Sequence, residues 1–224
     1  VLQATTFETP QRRLARWMCV SCLVLHAAVS PAIVPVRALT PYMMQDGLRR
    51  VAANLPSGPD AVRQTVVVVN APSDMITGPL PVVRAATGGP VPAHVYLLSC
   101  GAAETVMTRV GPREIDVQAP AGWLPNETDR AMRVTVFRQG EVVALAGMRA
   151  EVREVLPDGR ASLVRFTFPV DLEDRSLVFL SYGRRGLEPF EPPAVRSSVI
   201  VPIPPLILDL EGSARPGMRD LFAL

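Results

Sequence analysis

The longest feature in the hydrophobic pattern is Trp17 to Val36, twenty residues without a charge, framed by Arg12, Arg13 and Arg16 before it and Arg37 after it. A membrane-spanning helix needs about 20 apolar residues to cross roughly 30 Å of hydrocarbon. This run just meets that length, although Ser21, His26, Ser30, Pro31 and Pro35 weaken it. Proline removes a backbone hydrogen bond, and a membrane helix tolerates the loss when neighbouring helices re-satisfy the freed groups. The expectation is a transmembrane helix over about 17–36 that belongs to a larger bundle, with its arginine-rich end in the cytoplasm. Two other readings stay open: a secretory signal with a weak cleavage site at Val36-Arg37-Ala38, and a buried soluble helix. Next, Met44, Leu48, Val51, Ala52 and Leu55 recur at helical spacing and predict an amphipathic helix from about Tyr42 to Leu55, ended by Pro56-Ser57-Gly58-Pro59. It either lies on the bilayer with Arg49 and Arg50 at the headgroups or packs on the domain that follows.

The period then shortens. Gln64 to Asn70 holds a β-branched run, Val66 to Val69, of the kind buried on both faces of a sheet. Ser73 or Asp74 is placed to cap a short helix, prolines at 79 and 81 confine a helix to about Leu80–Ala86, and Ala93 to Ser99 reads as a second strand. Such a β-α-β unit makes its strands parallel and adjacent or nearly so. Its ligands bind at the strand end, which makes Asn70, Ser73 and Asp74 weak ligand-loop candidates. No G-x-G-x-x-G and no phosphate-loop motif is present, and Gly88-Gly89 reads as a plain loop.

From Glu104 the pattern alternates. Glu104–Arg109, Glu114–Gln118 and Met132–Phe137 are predicted strands separated by glycine and proline. Arg149, Glu151 and Arg153 alternate with Ala150 and Val152, Pro157-Asp158-Gly159-Arg160 supplies a turn, and Val164, Phe166 and Phe168 return on one face. This is a hairpin with one packed and one wet side. A second hairpin runs from Leu177 to Phe190 through Gly183–Gly186, and Pro189, Pro192 and Pro193 mark it as a sheet edge. Val199–Ile203 adds a further strand, and the residues from 206 to 224 read as a tail.

Composition and chemistry add mostly exclusions. The 224 residues allow one or two domains, and 23 prolines favour strands and turns. A net charge of +2 gives no reason to expect a nucleic-acid partner. Cys19 and Cys22 form a C-x-x-C inside the apolar run, without the strand-to-helix context of a redox site. Cys100 reads as a lone, buried and inert thiol. His26 and His94 are the only histidines, one in the apolar run and one in a strand, so neither is placed as a base for nucleophilic catalysis. Asp171, Glu173 and Asp174 read as a solvated turn. No catalytic, cofactor-binding or metal-binding residue is expected, and no cofactor.

The order of these motifs carries a resemblance. The arginine-flanked apolar helix, the helix ending near Leu55-Pro56, Val66 to Pro72, the Pro157–Arg160 hairpin, Val170 to Leu177 and Pro189 to Pro193 together resemble the C-terminal region of uncharacterised bacterial multi-pass membrane proteins. The resemblance implies further membrane helices upstream and a terminal domain, and it implies no activity. Val1 in place of methionine fits a C-terminal fragment.

The expected fold class is α+β, mainly β: an N-terminal transmembrane helix, a small β-α-β unit, then an antiparallel β sandwich or open barrel. The domains are 1–40 for loop and membrane helix, 41–59 for the connecting helix, 60–103 for the α/β unit, 104–205 for the β domain and 206–224 for the tail. The expected role is a structural or interaction domain outside the cytoplasm of a bacterial cell, partnered by the lipid bilayer and by other transmembrane helices of the same protein. The alternatives are an accessory domain of a membrane enzyme whose active site lies upstream, and a secreted binding module released by signal cleavage.

Overall fold

A computed structural model describes residues 10–30, 44–101, 103–124, 133 and 135–205. The chain divides into two compact units, residues 1–44 with 214–224, and residues 45–213. The second unit is mixed α and β, mainly β. Among the described residues it holds two sheets, one of four strands and one of six.

The four-stranded sheet has the order β2-β1-β8-β9. Its strands are β1 (Thr65–Val68), β2 (His94–Leu97), β8 (Leu177–Gly183) and β9 (Gly186–Pro189). β1 is parallel to both of its neighbours, with Thr65 opposite His94 on one side and Leu177 on the other. The predicted β-α-β unit is therefore present. Its crossover carries a single turn α3 (Asp74–Thr77) and then α4 (Leu80–Ala86), with a proline in the first turn of α4 where no amide partner is needed. β1 is buried throughout because it is covered on both faces. Val66 and Val68 join Val51, Ala52, Leu55, Ile76 and Leu80 in one core cluster, under α3, α4 and the helix of residues 44–53, which we label α2. Val67 and Val69 join the other cluster, which the two sheets share.

The six-stranded sheet has the order β10-β3-β4-β7-β6-β5 and is antiparallel throughout. Its strands are β3 (Thr105–Gly111), β4 (Glu114–Gln118), β5 (Val142–Leu145), β6 (Met148–Val155), β7 (Ala161–Thr167) and β10 (Ser198–Val201). Met107, Ile115, Val117, Val164 and Phe166 point at the four-stranded sheet and meet Val67, Leu98 and Phe179 there. Phe168 and Phe179 close this core edge to face at 5.7 Å. The unit is thus three layers, helices on a mixed sheet on an antiparallel sheet.

Several expectations need correction. β8 and β9 were assigned to the antiparallel region 104–205, yet they belong to the sheet of β1 and β2. Parallel pairing to β1 between two covering layers suits the apolar run Leu177–Leu180, which fills both cores. The strand expected over Met132–Phe137 is not formed at 133 or 135–137, and residues 132 and 134 lie outside the described residues. That stretch instead caps the β6–β7 turn, with the Phe137 amide donating to the Gly159 carbonyl at 3.0 Å. β5, which the pattern did not suggest, takes the edge beside β6. The helix expected over 42–55 is helical over 44–53 and packs Val51 and Ala52 into the core rather than presenting that face to a bilayer. The tail, 206–224, lies outside the described residues.

Tyr182 sits deep in the helix-side cluster, 2% exposed, and its hydroxyl finds no protein partner. Burial pushes its pKa up to about 12 from 10.0. The raised folded value means that stability is held at neutral pH and is lost as pH climbs from about 10 through about 12. Tyr182→Phe removes a desolvated hydroxyl and keeps the ring, so it is expected to leave stability unchanged or raise it by about 1 kcal/mol at pH 7. It is also expected to weaken the alkaline loss. Paired thermal melts at pH 7 and pH 11 check both.

Candidate functional site

Asn70 lies just beyond β1, 3% exposed. β8 runs past the end of β1, so the Tyr182 amide would have no strand opposite it. The Asn70 side chain takes that place. Its Oδ1 accepts from the Tyr182 amide at 2.8 Å and from the Ser181 hydroxyl at 3.0 Å. Its Nδ2 donates to the Pro202 carbonyl at 3.1 Å, just after β10 in the other sheet. Three of its four hydrogen-bonding directions are spent inside the scaffold. Ser73 caps α3, its hydroxyl accepting from the Met75 amide at 3.2 Å and donating to Asp74 Oδ1 at 3.1 Å. Asp74 is exposed in the first turn of α3. The structure places the three candidates along one loop, but turns Asn70 inward and Asp74 outward.

The hollows of the body lie elsewhere. One, of about 100 Å³, is lined by Trp123, Phe137, Arg133 and the Asp158–Arg160 turn. Arg133 is already engaged, donating to Glu141 at 2.6 and 2.8 Å and stacking 4.0 Å over the Phe137 ring. Small-molecule sites usually enclose about 300–1,000 Å³, so this hollow is undersized for one. A second, of about 510 Å³, is an open saddle around Arg63, Gln64, Arg175 and Leu177. It sits at the starts of β1 and β8, the end of a parallel sheet opposite to the usual ligand side.

The acidic turn at 171–174 is more tightly held than a solvated loop. Arg109, 5% exposed on β3, donates to both Glu173 oxygens, one of them at 2.9 Å. It also donates to the carbonyls of Gly111 at 3.1 Å and Pro112 at 3.2 Å. Arg113 donates to Asp171 at 2.8 Å. These bonds pin the β3–β4 turn to the segment entering β8. The Arg109 guanidinium holds the Glu173 carboxyl below the ordinary carboxylate range, Ser176 does the same for Asp174, and Arg133 does it for Glu141. A folded value below the unfolded one gives stability that is present above about pH 4 and is lost as pH falls through the folded value. Melting temperature is therefore expected to fall steadily below about pH 4. Glu173→Gln should reduce that slope, and equal slopes for the two proteins would refute the assignment.

The first unit carries the other candidate, the apolar run itself. α1 (Pro10–Val24) continues as a π-helical turn over Leu25–Val29. It starts seven residues before the expected start at Trp17, because Pro10 pre-sets the first turn and the arginines are taken into the helix. No described helix is long and apolar enough to cross a membrane, and Pro31–Val36 lie outside the described residues. At the start of the π turn His26 Nδ1 lies 2.9 Å from the Cys22 carbonyl. Leu14, Trp17, Met18, Leu23, Val24 and Leu25 are each more than half exposed. From Trp17 onward the apolar positions surround the helix rather than forming one stripe. Cys19 and Cys22 are exposed on it. Cys100, expected to be buried, is half-buried beside an isolated bridge to Ala71. His94 stacks on Tyr96 in β2. Among the described residues no group of histidine, cysteine and acidic side chains is arranged to hold a metal ion.

No protein-family model, characterised protein or solved structure matches the chain. The functional reading therefore rests on geometry.

Proposed function

We propose that the chain is a membrane-attached structural or interaction module of a bacterial cell. Residues 17–36 enter the bilayer with the arginine end on the cytoplasmic side, beside other membrane helices of the same protein. The β-rich body then stands outside the cytoplasm and works without chemistry of its own. The observation that carries this is α1, whose large apolar side chains are exposed on all sides after an arginine-bearing first half. A helix with no polar face is a helix for an apolar surrounding. Trp17 to Ser30 alone spans about 20 Å at the helical rise, short of a roughly 30 Å core. The sequence stays uncharged as far as Val36. Trp17, between the arginines and the apolar run, suits the headgroup level. The body supports the second half of the proposal, since Arg109, Arg133 and Asn70 are committed to internal bonds.

The test is fractionation of the expressed full chain, an alkaline carbonate wash and mass determination, followed by protease treatment of intact spheroplasts. Retention in the membrane at full mass, with the 45–205 body reached by protease added outside the spheroplasts, is the expected result, and a body protected from that protease would overturn the topology. Release by carbonate, or a product beginning near Leu39, would overturn it.

A further inference from the structure

Among the described residues, three of the four sheet edges carry the features that discourage strand addition. β9 contains Pro189, β10 is followed at once by Pro202, and β2 is half-buried with the Tyr96 hydroxyl donating to the Ala146 carbonyl at 2.5 Å. β5 has none of them. Val142, Val143, Ala144 and Leu145 are uncharged and proline-free, and all four are exposed at the rim of the six-stranded sheet. Val142, Val143 and Leu145 are 44%, 43% and 42% exposed.

The hairpin fixes which backbone groups are open. β5 and β6 are joined by the two-residue loop Ala146-Gly147, with Leu145 opposite Met148 and Gly147 at φ +82. The closing pair of such a hairpin is hydrogen-bonded, and pairs alternate from there. Leu145 and Val143 therefore bond β6, while the amides and carbonyls of Val142 and Ala144 point away from the sheet.

We propose that this edge pairs antiparallel with β5 of a second copy of the chain, on a two-fold axis at Val143, so that the two six-stranded sheets become one. Facing residues must share a face of the sheet, so the axis passes through a residue, and Val143 and Ala144, at the centre of β5, keep the most strand overlap. Centring on Val143 sets Val142 opposite Ala144 of the second copy on both sides of the axis, for about four hydrogen bonds. Centring on Ala144 leaves about two within the strand. Charge favours the same register only weakly. On the outer face Ala144 lies beside Arg149, and Val142 beside Glu151. The Val143 axis sets Arg149 in one cross-strand row with Glu151 of the second copy, across two small side chains. The Ala144 axis would set arginine in line with arginine, and in both cases the two groups stand about 14 Å apart, three strand spacings, where exposed charges are largely screened. The contact is isologous and closes on itself, so it ends at a dimer rather than a fibre. It is independent of the membrane role proposed above.

The test is sedimentation equilibrium of the full chain in detergent micelles. A dimer is expected. Ala144→Pro removes an outward amide and leaves the β6 ladder intact. It should raise the dimer dissociation constant by about tenfold or more, with an unchanged circular dichroism spectrum. A wild-type chain that stays monomeric, or a dimer unaffected by the folded Ala144→Pro variant, would overturn the proposal. A second measurement holds even if that variant fails to fold. With Cys19, Cys22 and Cys100 replaced by serine, Val143→Cys should form an interchain disulfide under mild oxidation. Non-hydrogen-bonded pairs bring Cα atoms to about 4.5 Å, inside the disulfide range. Ile200→Cys, on the opposite edge and 63% exposed, should not cross-link. No link at Val143, or equal linking at Ile200, would refute the pairing.

Discussion

Arg109→Ala is expected to lower stability by about 2–4 kcal/mol, a fall of roughly 5–15 °C in melting temperature for a chain of this size. The guanidinium is nearly buried, yet it makes four hydrogen bonds, two to Glu173 and one each to the carbonyls of Gly111 and Pro112. Alanine takes this donor from the Gly111 carbonyl, leaves the Pro112 carbonyl with the Leu172 amide alone, and leaves a hole beside the inter-sheet core. An exposed ion pair would cost far less, because water replaces either partner. Glu173 is such a partner, with 68% of its side chain exposed, so Glu173→Gln should cost much less than Arg109→Ala. Lysine at 109 keeps the charge but not the planar fork and should recover less than half of the loss. Urea titrations of the three variants test this order. Arg109→Ala within about 0.5 kcal/mol of the wild type would mean that the clamp is decorative.

The same residue shows what could be read from the sequence. Strands with clean alternation or a clear turn were legible: β6 and β7 around Pro157–Arg160, and β8 and β9 around Gly183–Gly186, because turn chemistry and period two are local. β1 was legible as doubly buried from its unbroken valines, and its parallel partner β2 followed from the helix between them. The placement of β8 beside β1 was not legible, since it joins segments more than a hundred residues apart and no local pattern encodes which sheet an apolar strand enters. β5 was missed because four apolar residues between glycines lack a period. The two-residue Ala146-Gly147 loop ahead of a good strand was the available signal. Arg109 was legible only as the end of the predicted strand Glu104–Arg109. Its inward turn depends on Glu173, supplied from 64 residues away. Asn70 was singled out as a ligand-loop candidate at the end of a buried parallel strand, and its bonds to Tyr182, Ser181 and Pro202 were not legible, because only the assembled sheets bring those partners near.

Asn70→Ala is the measurement that separates a scaffold residue from a ligand residue at that strand end. Alanine would leave the Tyr182 amide and the Pro202 carbonyl without partners in a site where Asn70 is 3% exposed. Each stranded group costs about 1–3 kcal/mol, so a loss of about 2–4 kcal/mol is expected. Asn70→Asp sharpens the reading. At pH 7 the carboxylate still accepts from the Tyr182 amide and Ser181, but it faces the Pro202 carbonyl without a proton to give. Burial disfavours its charge and raises its folded pKa. A raised folded value means that stability returns as pH falls and the acid can donate to Pro202. Asn70→Asp is therefore expected to gain on the wild type between pH 7 and pH 5, whereas Asn70→Ala is expected to show no such gain. Ser73→Ala should cost only about 1 kcal/mol, the worth of one helix cap, and Asp74→Asn still less. A residue kept for a ligand behaves the other way, since removing it leaves the melting temperature of the unliganded chain unchanged or raises it.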